Sequence, residues 1–510
     1  MFDVTWVSTV ACLMAAGFGA VRWLRVAQRE HYLAGTVTRF AIRWWWGLGF
    51  NRLLLVGVTI NVMLSFVSPF FALLVAAPIA AGPFGLKLKG TAPGPLDWTR
   101  RLKTLAAITG AIVAVVVLFI GLAGAPAAGA ALAAVLMPRI VDIALGLAAP
   151  LEQRLAQPFV DKATATLREV APFTIALTGS YGKTTTKGYV GHLIEGSKSV
   201  LATPRSFNNS AGLSRAVNEH LASGTDVFVA EMGTYGPGEI AALVAWVKPT
   251  VAAITAIGPV HLERMKSEDM IVEAKSEIFA GATVAVLNVD DRRLSPLADR
   301  LEADGMRVVR CSGRERGADI AAIIEGETLT VYKDGSVIGS ATGLDVVGTN
   351  VAIAVACAIE AGIEPQVLGS RLATLPTAPN RRTVTTGSTG ATIIDDTFNA
   401  NPAGARAALE VLARLGSDST TIALVTPGMI ELGDRQADEN QKFAAAASEI
   451  ATDVLVVGMT NRAALVEGAH RGRARVHLVD GRAEAVAWVK ENLVAGDAVL
   501  YENDLPDHFP

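Results

Sequence analysis

Gly179-Ser180-Tyr181-Gly182-Lys183-Thr184-Thr185-Thr186 follows a short apolar run, Phe173–Thr178, and opens a stretch with helical patterning. A strand, a Gly-rich turn and a helix start, in that order, make a phosphate cradle. Gly179 and Gly182 let backbone N–H groups approach phosphate oxygens. Lys183 would reach the outer phosphates of a nucleotide, and the Thr184 hydroxyl would ligate Mg²⁺. The common phosphate loop carries a glycine five residues before its Gly-Lys pair; here Leu177 stands there, so the loop is a shortened variant. Glu231 ends a second apolar run. A carboxylate at the carboxyl end of a parallel strand faces the ligand crevice and offers Mg²⁺ a hard oxygen. His261, after a third such run, and Lys275, in Glu273-Ala274-Lys275-Ser276-Glu277, complete the candidates. Taken alone, His261 reads as a structural histidine and Lys275 as a lysine on a helix surface.

The elements that must position these residues alternate. Phe173–Thr178, 226–232, 250–257 and 283–288 are β-rich runs separated by helical stretches, and a second series occupies 391–396, 421–426, 453–457, 475–479 and 497–501. Strands alternating with helices imply parallel sheets. The expected organisation is an α-helical transmembrane region over 1–150, a linker helix over 151–172, and two α/β domains: a nucleotide-binding central domain over 173–382 and a Rossmann-like C-terminal domain over 383–510.

Composition supports the division. The 510 residues contain 45 basic and 48 acidic side chains, for a net charge of −3; 51% are hydrophobic and only 18% charged. Soluble chains carry about 25% charged residues. There is ample apolar material for cores, which excludes a disordered chain, and the near-neutral balance argues against nucleic acid as a partner. Cys12, Cys311 and Cys357 are too scattered for a disulfide framework or a zinc ribbon. The apolar excess lies before about residue 150. Residues 4–21 can span a bilayer, and no basic segment precedes them, against a cleaved signal peptide. Residues 53–86 and 104–138 are uncharged and too long for single spans; Ser68-Pro69 and Gly124-Ala125-Pro126 divide each into a hairpin. Basic loops around Arg22–Arg52 and Lys87–Lys103, the first containing Trp44-Trp45-Trp46, belong on the cytoplasmic side. Five spans satisfy these constraints and place both α/β domains in the cytoplasm, as part of an integral membrane protein.

Together the motifs resemble the Mur ligases, ATP-dependent amide ligases of peptidoglycan assembly, and most closely their D-alanyl-D-alanine-adding branch. They appear in order: Thr178-Gly179-Ser180-Tyr181-Gly182-Lys183-Thr184-Thr185, Asn208-Asn209 with Gly212, Glu231-Met232-Gly233, His261-Leu262-Glu263, Ala274-Lys275-Ser276-Glu277, Asn288 with Asp290-Asp291, Arg381, Asp395-Asp396-Thr397-Phe398-Asn399-Ala400-Asn401-Pro402, and Glu431-Leu432-Gly433. The resemblance implies that Thr184 and Glu231 hold one Mg²⁺ and His261 a second. It implies that Lys275 is carbamylated to help position metal, and that Asn208 and Asn209 lie near the phosphates and the acyl substrate. Gly179, Gly182, Lys183, Thr184 and Thr185 would cradle ATP; Asn288, Arg381, Asp396 and Asn399 would close around the nucleotide. Lys183, Lys275, His261 and Asn209 form the implied catalytic set. The implied reaction phosphorylates a carboxylate of a cell-wall precursor, which an amino acid or dipeptide amine then attacks.

The sequence also departs from the family pattern. Membrane-type residues stand where the family has a UDP-sugar-binding domain, which implies a lipid-linked substrate or a plain anchor in the bilayer. Thr349 and Ile353 replace the family's usual His and second Asn, and Tyr501-Glu502-Asn503-Asp504 replaces a Lys-Gly-Ser-type segment. A poly-γ-glutamate-synthase-like polymer ligase and an ATP-driven membrane protein that is not a ligase are the competing readings. The Asp395–Pro402 string disfavours the first; the lack of transporter signatures and of charge within the spans disfavours the second.

Overall fold

The structure is a computed structural model and describes residues 3–86, 96–260, 262–376, 383–397, 400–415, 421–506 and 508–509. Seven helices come first: α1 (Val4–Arg29), α2 (Thr36–Gly47), α3 (Gly49–Ser65), α4 (Phe70–Ala81), α5 (Arg100–Leu122), α6 (Pro126–Val135) and α7 (Met137–Val170). By length and composition α1 and α5 can each cross a membrane, and up to four spans result if each of the bent pairs α2–α3 and α6–α7 counts as one. Breaks fall at 66–69 and 123–125, where Pro69 and Gly124 stand. Large apolar side chains on the outside of the bundle are open, Trp6 by 71% and Leu122 by 80%. The inside packs small: α6 lies so close to α5 at Gly129 that a Cβ there would meet Ile120 Cβ at 3.1 Å and the Val117 Cα at 3.3 Å, tighter than ordinary contact.

The linker helix expected over 151–172 is the second part of α7, which starts at Met137 and ends at Val170. Its first part carries Ile140, Val141, Ala144, Leu145 and Ala148 into the bundle. That apolar periodicity carries the helix through Pro150 despite the lost hydrogen bond. Asp142 of α7 accepts from the backbone N–H groups of Gly35 (2.8 Å) and Thr38 (2.7 Å), and so caps α2 from more than a hundred residues away.

The central domain has nine strands: β1 (Phe173–Thr178), β2 (Val200–Ala202), β3 (Val227–Glu231), β4 (Val251–Ile254), β5 (Val284–Asn288), β6 (Arg307–Ser312), β7 (Ile320–Glu325), β8 (Thr328–Lys333) and β9 (Ser336–Thr342), in the order β2-β3-β1-β4-β5-β6-β7-β8-β9. Pairing is parallel as far as β7, and β7–β9 form an antiparallel extension. The parallel strands are apolar on both faces because helices cover both; Ile175, Leu177, Val229 and Val286 are fully buried. Burial of each such side chain contributes about 1.5–3 kcal/mol. Winding reverses between β1 and β4, and at such a switch point an open α/β sheet leaves a crevice beyond its carboxyl ends. The C-terminal domain is a six-stranded sheet in the order β10 (Thr383–Thr386), β11 (Thr392–Asp396), β15 (Ala498–Glu502), β12 (Ile422–Thr426), β13 (Asp453–Val457), β14 (Arg475–Val479), with only β10 antiparallel.

The end of the chain returns to the helical bundle. Phe509 lies edge-on to Phe40 of α2 at 5.2 Å between ring centres, and His508 Nε2 lies 3.0 Å from a Glu30 carboxylate oxygen.

Candidate active site

β1 ends at Thr178, and the next six residues set the geometry of the crevice. Gly179 sits at φ 152°, and a Cβ there would fall 2.0 Å from the Thr255 hydroxyl. Gly182, at φ 80°, leads directly into helix α8 (Lys183–Ile194), and a Cβ there would meet the Asn350 amide at 2.7 Å. Both positions therefore require glycine, for conformation and for space. Ser180 N–H donates to the Ala256 carbonyl (2.7 Å), and the Thr255 hydroxyl donates to the carbonyl of Tyr181, so the loop is pinned to the end of β4.

Helix α8 aims three side chains at the crevice. Lys183 Nζ donates to the Gly179 carbonyl at 2.7 Å, folding back over its own loop. The Thr184 hydroxyl donates to Glu231 Oε2 at 2.9 Å. Lys187, one helical turn beyond Lys183, donates to the same Oε2 at 2.9 Å and to the Arg205 carbonyl. Asn208 Nδ2 donates to the other Glu231 oxygen at 3.2 Å. Glu231, at the end of β3, is 1% exposed. Burial alone would push its carboxyl upward; the Lys187 and Lys183 charges, with the hydrogen bonds from Lys187 and Asn208, outweigh burial and hold it below the ordinary carboxylate value.

Lys275 is 2% exposed, on the helix Glu268–Ser276. Burial, and after it the positive charge of Lys183, push its ammonium well below the usual lysine value. Burial of this kind favours the neutral amine, the form that reacts with electrophiles.

The other expected site residues divide. Thr185 is half-buried one residue beyond Thr184. Asn209 caps the helix α9 (Ser210–His220), its side chain accepting from Gly212 N–H at 2.9 Å. Asn288 staples two strand ends: it donates to the Thr255 carbonyl (2.9 Å) and accepts from Asp290 N–H (3.0 Å). Asp396 ends β11, where its carbonyl accepts from Asn503 N–H at 3.1 Å. His261, Arg381 and Asn399 lie outside the described residues. Two participants were not singled out from the sequence. Lys187 could have been found from its i+4 spacing to Lys183. Arg293 bridges Asp291 (2.9 Å), Glu268 and the Ile257 carbonyl (2.8 Å), and nothing local marks it.

The donor set fits a hard divalent cation, since a hydroxyl and a carboxylate already converge at Thr184 and Glu231. Among the described residues, which do not include position 261, no three His, Cys, Asp or Glu side chains group as a metal cluster.

The Lys187–Glu231 pair is testable by itself. Its side chains are 6% and 1% exposed. Lys187→Met removes a charge that lowers the Glu231 carboxyl, so the acid limb of the activity profile should move to higher pH. Stripping one partner from a buried pair should also cost about 3 kcal/mol of stability. A pH–rate profile and a denaturant titration check both; an unmoved acid limb would mean that Lys187 does not tune Glu231.

The Mur ligase middle domain matches residues 177–358, and the Mur ligase glutamate ligase domain matches residues 380–501. The UDP-N-acetylmuramoyl-tripeptide–D-alanyl-D-alanine ligase of Mycobacterium leprae is 30% identical over 363 residues, which cover 64% of this chain and 70% of that protein. Among solved structures, MurF from Acinetobacter baumannii superposes with a TM-score of 0.59 at 25% identity, covering 68% of this chain and 77% of its own. MurF ligase from Thermotoga maritima, in complex with ADP, gives 0.57 at 25% identity, covering 68% and 80%. Residues before 177 lie outside both domain matches.

Proposed function

Because the chain belongs to the Mur ligase family of ATP-dependent amide-forming ligases, we propose that it is a membrane-anchored ligase that extends a lipid-linked peptidoglycan-type precursor at the cytoplasmic face. The observation that carries the ligase chemistry is the convergence of Lys183, Thr184 and Glu231 beside the buried amine of Lys275. The observation that carries the anchoring is the N-terminal bundle, with two to four membrane-length apolar elements and an apolar exterior, in a region that neither family domain matches.

In the proposed reaction a carboxylate oxygen of the precursor attacks the γ-phosphorus of ATP, and the bond from that phosphorus to the ADP oxygen breaks. The amine of an amino acid or dipeptide then attacks the acyl carbon. The carbon–oxygen bond to phosphate breaks, the nitrogen loses a proton, and amide, ADP and phosphate remain. Two anions must meet, so the site must supply positive charge. Lys183 supplies one, by leaving the Gly179 carbonyl for the phosphates. Thr184 and Glu231 would hold Mg²⁺, which when bound neutralises phosphate charge. Carbamylation of the neutral Lys275 amine by CO₂, with loss of one proton, would give it the negative charge that the family role requires. His261 would serve a second metal. Asn208 orients Glu231, Asn209 holds the neighbouring helix start, and Gly179, Gly182 and Thr185 shape the nucleotide cradle. Asn288, Arg381, Asp396 and Asn399 would close around the nucleotide.

ADP release by the detergent-solubilised full chain tests this reading. With Mg²⁺, ATP and D-alanyl-D-alanine, turnover is expected with a lipid-linked muramoyl-peptide and not with its soluble UDP-linked counterpart. Equal turnover with the soluble donor would reduce the bundle to an anchor; silence with both would exclude this donor class.

A further inference from the structure

The helix α2 is built differently from its neighbours. Its buried face carries Val37, Phe40, Ala41, Trp44 and Trp45 into the bundle core. Its other face carries Arg39, Ile42, Arg43 and Trp46, at spacings of three, one and three, which place all four on one side. Ile42 and Trp46 are 61% and 60% exposed. Arg39 is exposed and makes no hydrogen bond or ion pair among the described residues. Arg43 is 37% exposed and reaches Glu263.

The orientation of α2 follows from its neighbour. The helix α3 leaves α2 at a bend of 110°. It carries Leu53, Val56, Ile60 and Met63 exposed along one face, the arrangement of a helix side that meets lipid. With α3 upright in the bilayer, α2 lies close to the membrane plane. A helix lying there sinks Ile and Trp toward the acyl chains and lifts Arg toward the phosphate layer.

The same two arginines border the ligase. Arg39 and Arg43 line a cleft shared with Glu263, Arg264 and Glu431. Glu263 and Arg264 stand two and three residues after position 261, and Leu262 N–H donates to the Glu431 carbonyl at 3.0 Å. Glu30, just after α1, holds Arg264 at 2.9 Å, so the wall of the cleft is fixed to the bundle. The helix N-terminus is not the anion site here, because Asp142 already occupies it.

We propose that Arg39 and Arg43 form a subsite for the phosphate of a membrane-embedded lipid phosphate ester, the end of the donor that stays in the bilayer while its carboxylate is presented to the ligase crevice. Guanidinium groups suit this, because their planar forks match phosphate oxygens and stay charged at the interface. The exposed Ile42 and Trp46 would pack on the first carbons of the chain. The proposal rests on the lipid-linked reading above and deepens it.

The test reads binding rather than turnover, so that the two can fail separately. The full chain in neutral detergent is titrated with dodecyl phosphate, dodecanol and inorganic phosphate while tryptophan emission is followed. Dodecyl phosphate should give a saturable shift in the wild type, dodecanol none, and inorganic phosphate should compete only weakly. Arg39→Gln should weaken dodecyl phosphate at least about tenfold, the loss expected for one charge-assisted contact. Arg39 makes no hydrogen bond or ion pair among the described residues, so Arg39→Gln should melt at the wild-type temperature, and for a lipid-linked donor it should raise KM with little change in kcat. Arg43→Gln should weaken dodecyl phosphate as well, but it also releases Glu263, so its melting temperature is measured beside the binding. Unchanged binding in Arg39→Gln, or inorganic phosphate binding as tightly as the lipid analogue, would overturn the subsite. Dodecyl phosphate binding that depends on Arg39, together with turnover on the soluble donor, would leave the subsite standing and overturn the lipid-linked reading instead.

Discussion

Lys183→Ala is expected to lose about a thousandfold in ATP-dependent ADP release while melting at the temperature of the wild type. The size follows from the charge problem of the proposed first step, in which a carboxylate approaches a polyanion. Removing one well-placed donor to a developing charge costs about a hundred- to a thousandfold in other enzymes, and removing a whole cation at a transferring phosphoryl group costs about a thousandfold or more. Here the ammonium stands 2.7 Å from the Gly179 carbonyl, inside the loop that phosphates would enter. The unchanged melting follows because Lys183 is only part-buried, whereas the loop conformation is fixed by Gly179, Gly182 and Thr255. Lys183 also contributes to the low value of the Glu231 carboxyl and opposes protonation of Lys275. Some of the loss will therefore come through those groups, and the variant should show a shifted pH profile in whatever activity remains. A Lys183→Ala protein with wild-type turnover would mean that phosphoryl transfer does not occur in this crevice.

The phosphate loop was legible in the sequence because its chemistry is local. Only glycine fits where Gly179 and Gly182 stand, and the strand, turn and helix that surround them are consecutive. The parallel strands were legible for a similar reason: burial on both faces writes an uninterrupted apolar run. The antiparallel extension is also written locally, in the turn residues Asp334-Gly335 with Gly335 at φ 76° and in the alternation Thr328-Leu329-Thr330-Val331 of β8, whereas β7 and β9 alternate weakly. Other features had no local signature. Asn209 shows a side chain capping a helix, a role that Asn, Ser and Asp fill on structural grounds alone. Lys275 looks like a surface lysine because its helix is short and charged; only packing against neighbouring elements distant in sequence buries it. The bends at residues 48 and 136 depend on tertiary partners. Asp142 holds the start of α2 from across the bundle, and composition shows apolar length without showing where the helices turn.

Lys275→Met is expected to abolish ligation and at the same time raise the melting temperature by about 3 °C or more. The native protein keeps this amine well below its unfolded lysine value, so between the two values the unfolded chain binds a proton that the folded chain does not. Stability then rises with pH across that window, and the wild type carries a cost at neutral pH. Methionine fills a similar volume and has no proton to bind, so the gap between variant and wild type should widen as pH falls from about 10 toward neutrality. CO₂ acts in the opposite sense. A carbamate forms only on the folded protein, where the amine is neutral and enclosed, so bicarbonate should raise the melting temperature of the wild type by mass action and leave Lys275→Met unmoved. Bicarbonate added to a CO₂-depleted preparation should likewise restore turnover in the wild type alone. An equal response of both proteins to bicarbonate, or a Lys275→Met protein that still ligates, would remove the carbamate from the mechanism and leave Lys275 as a buried amine that costs stability without a catalytic return.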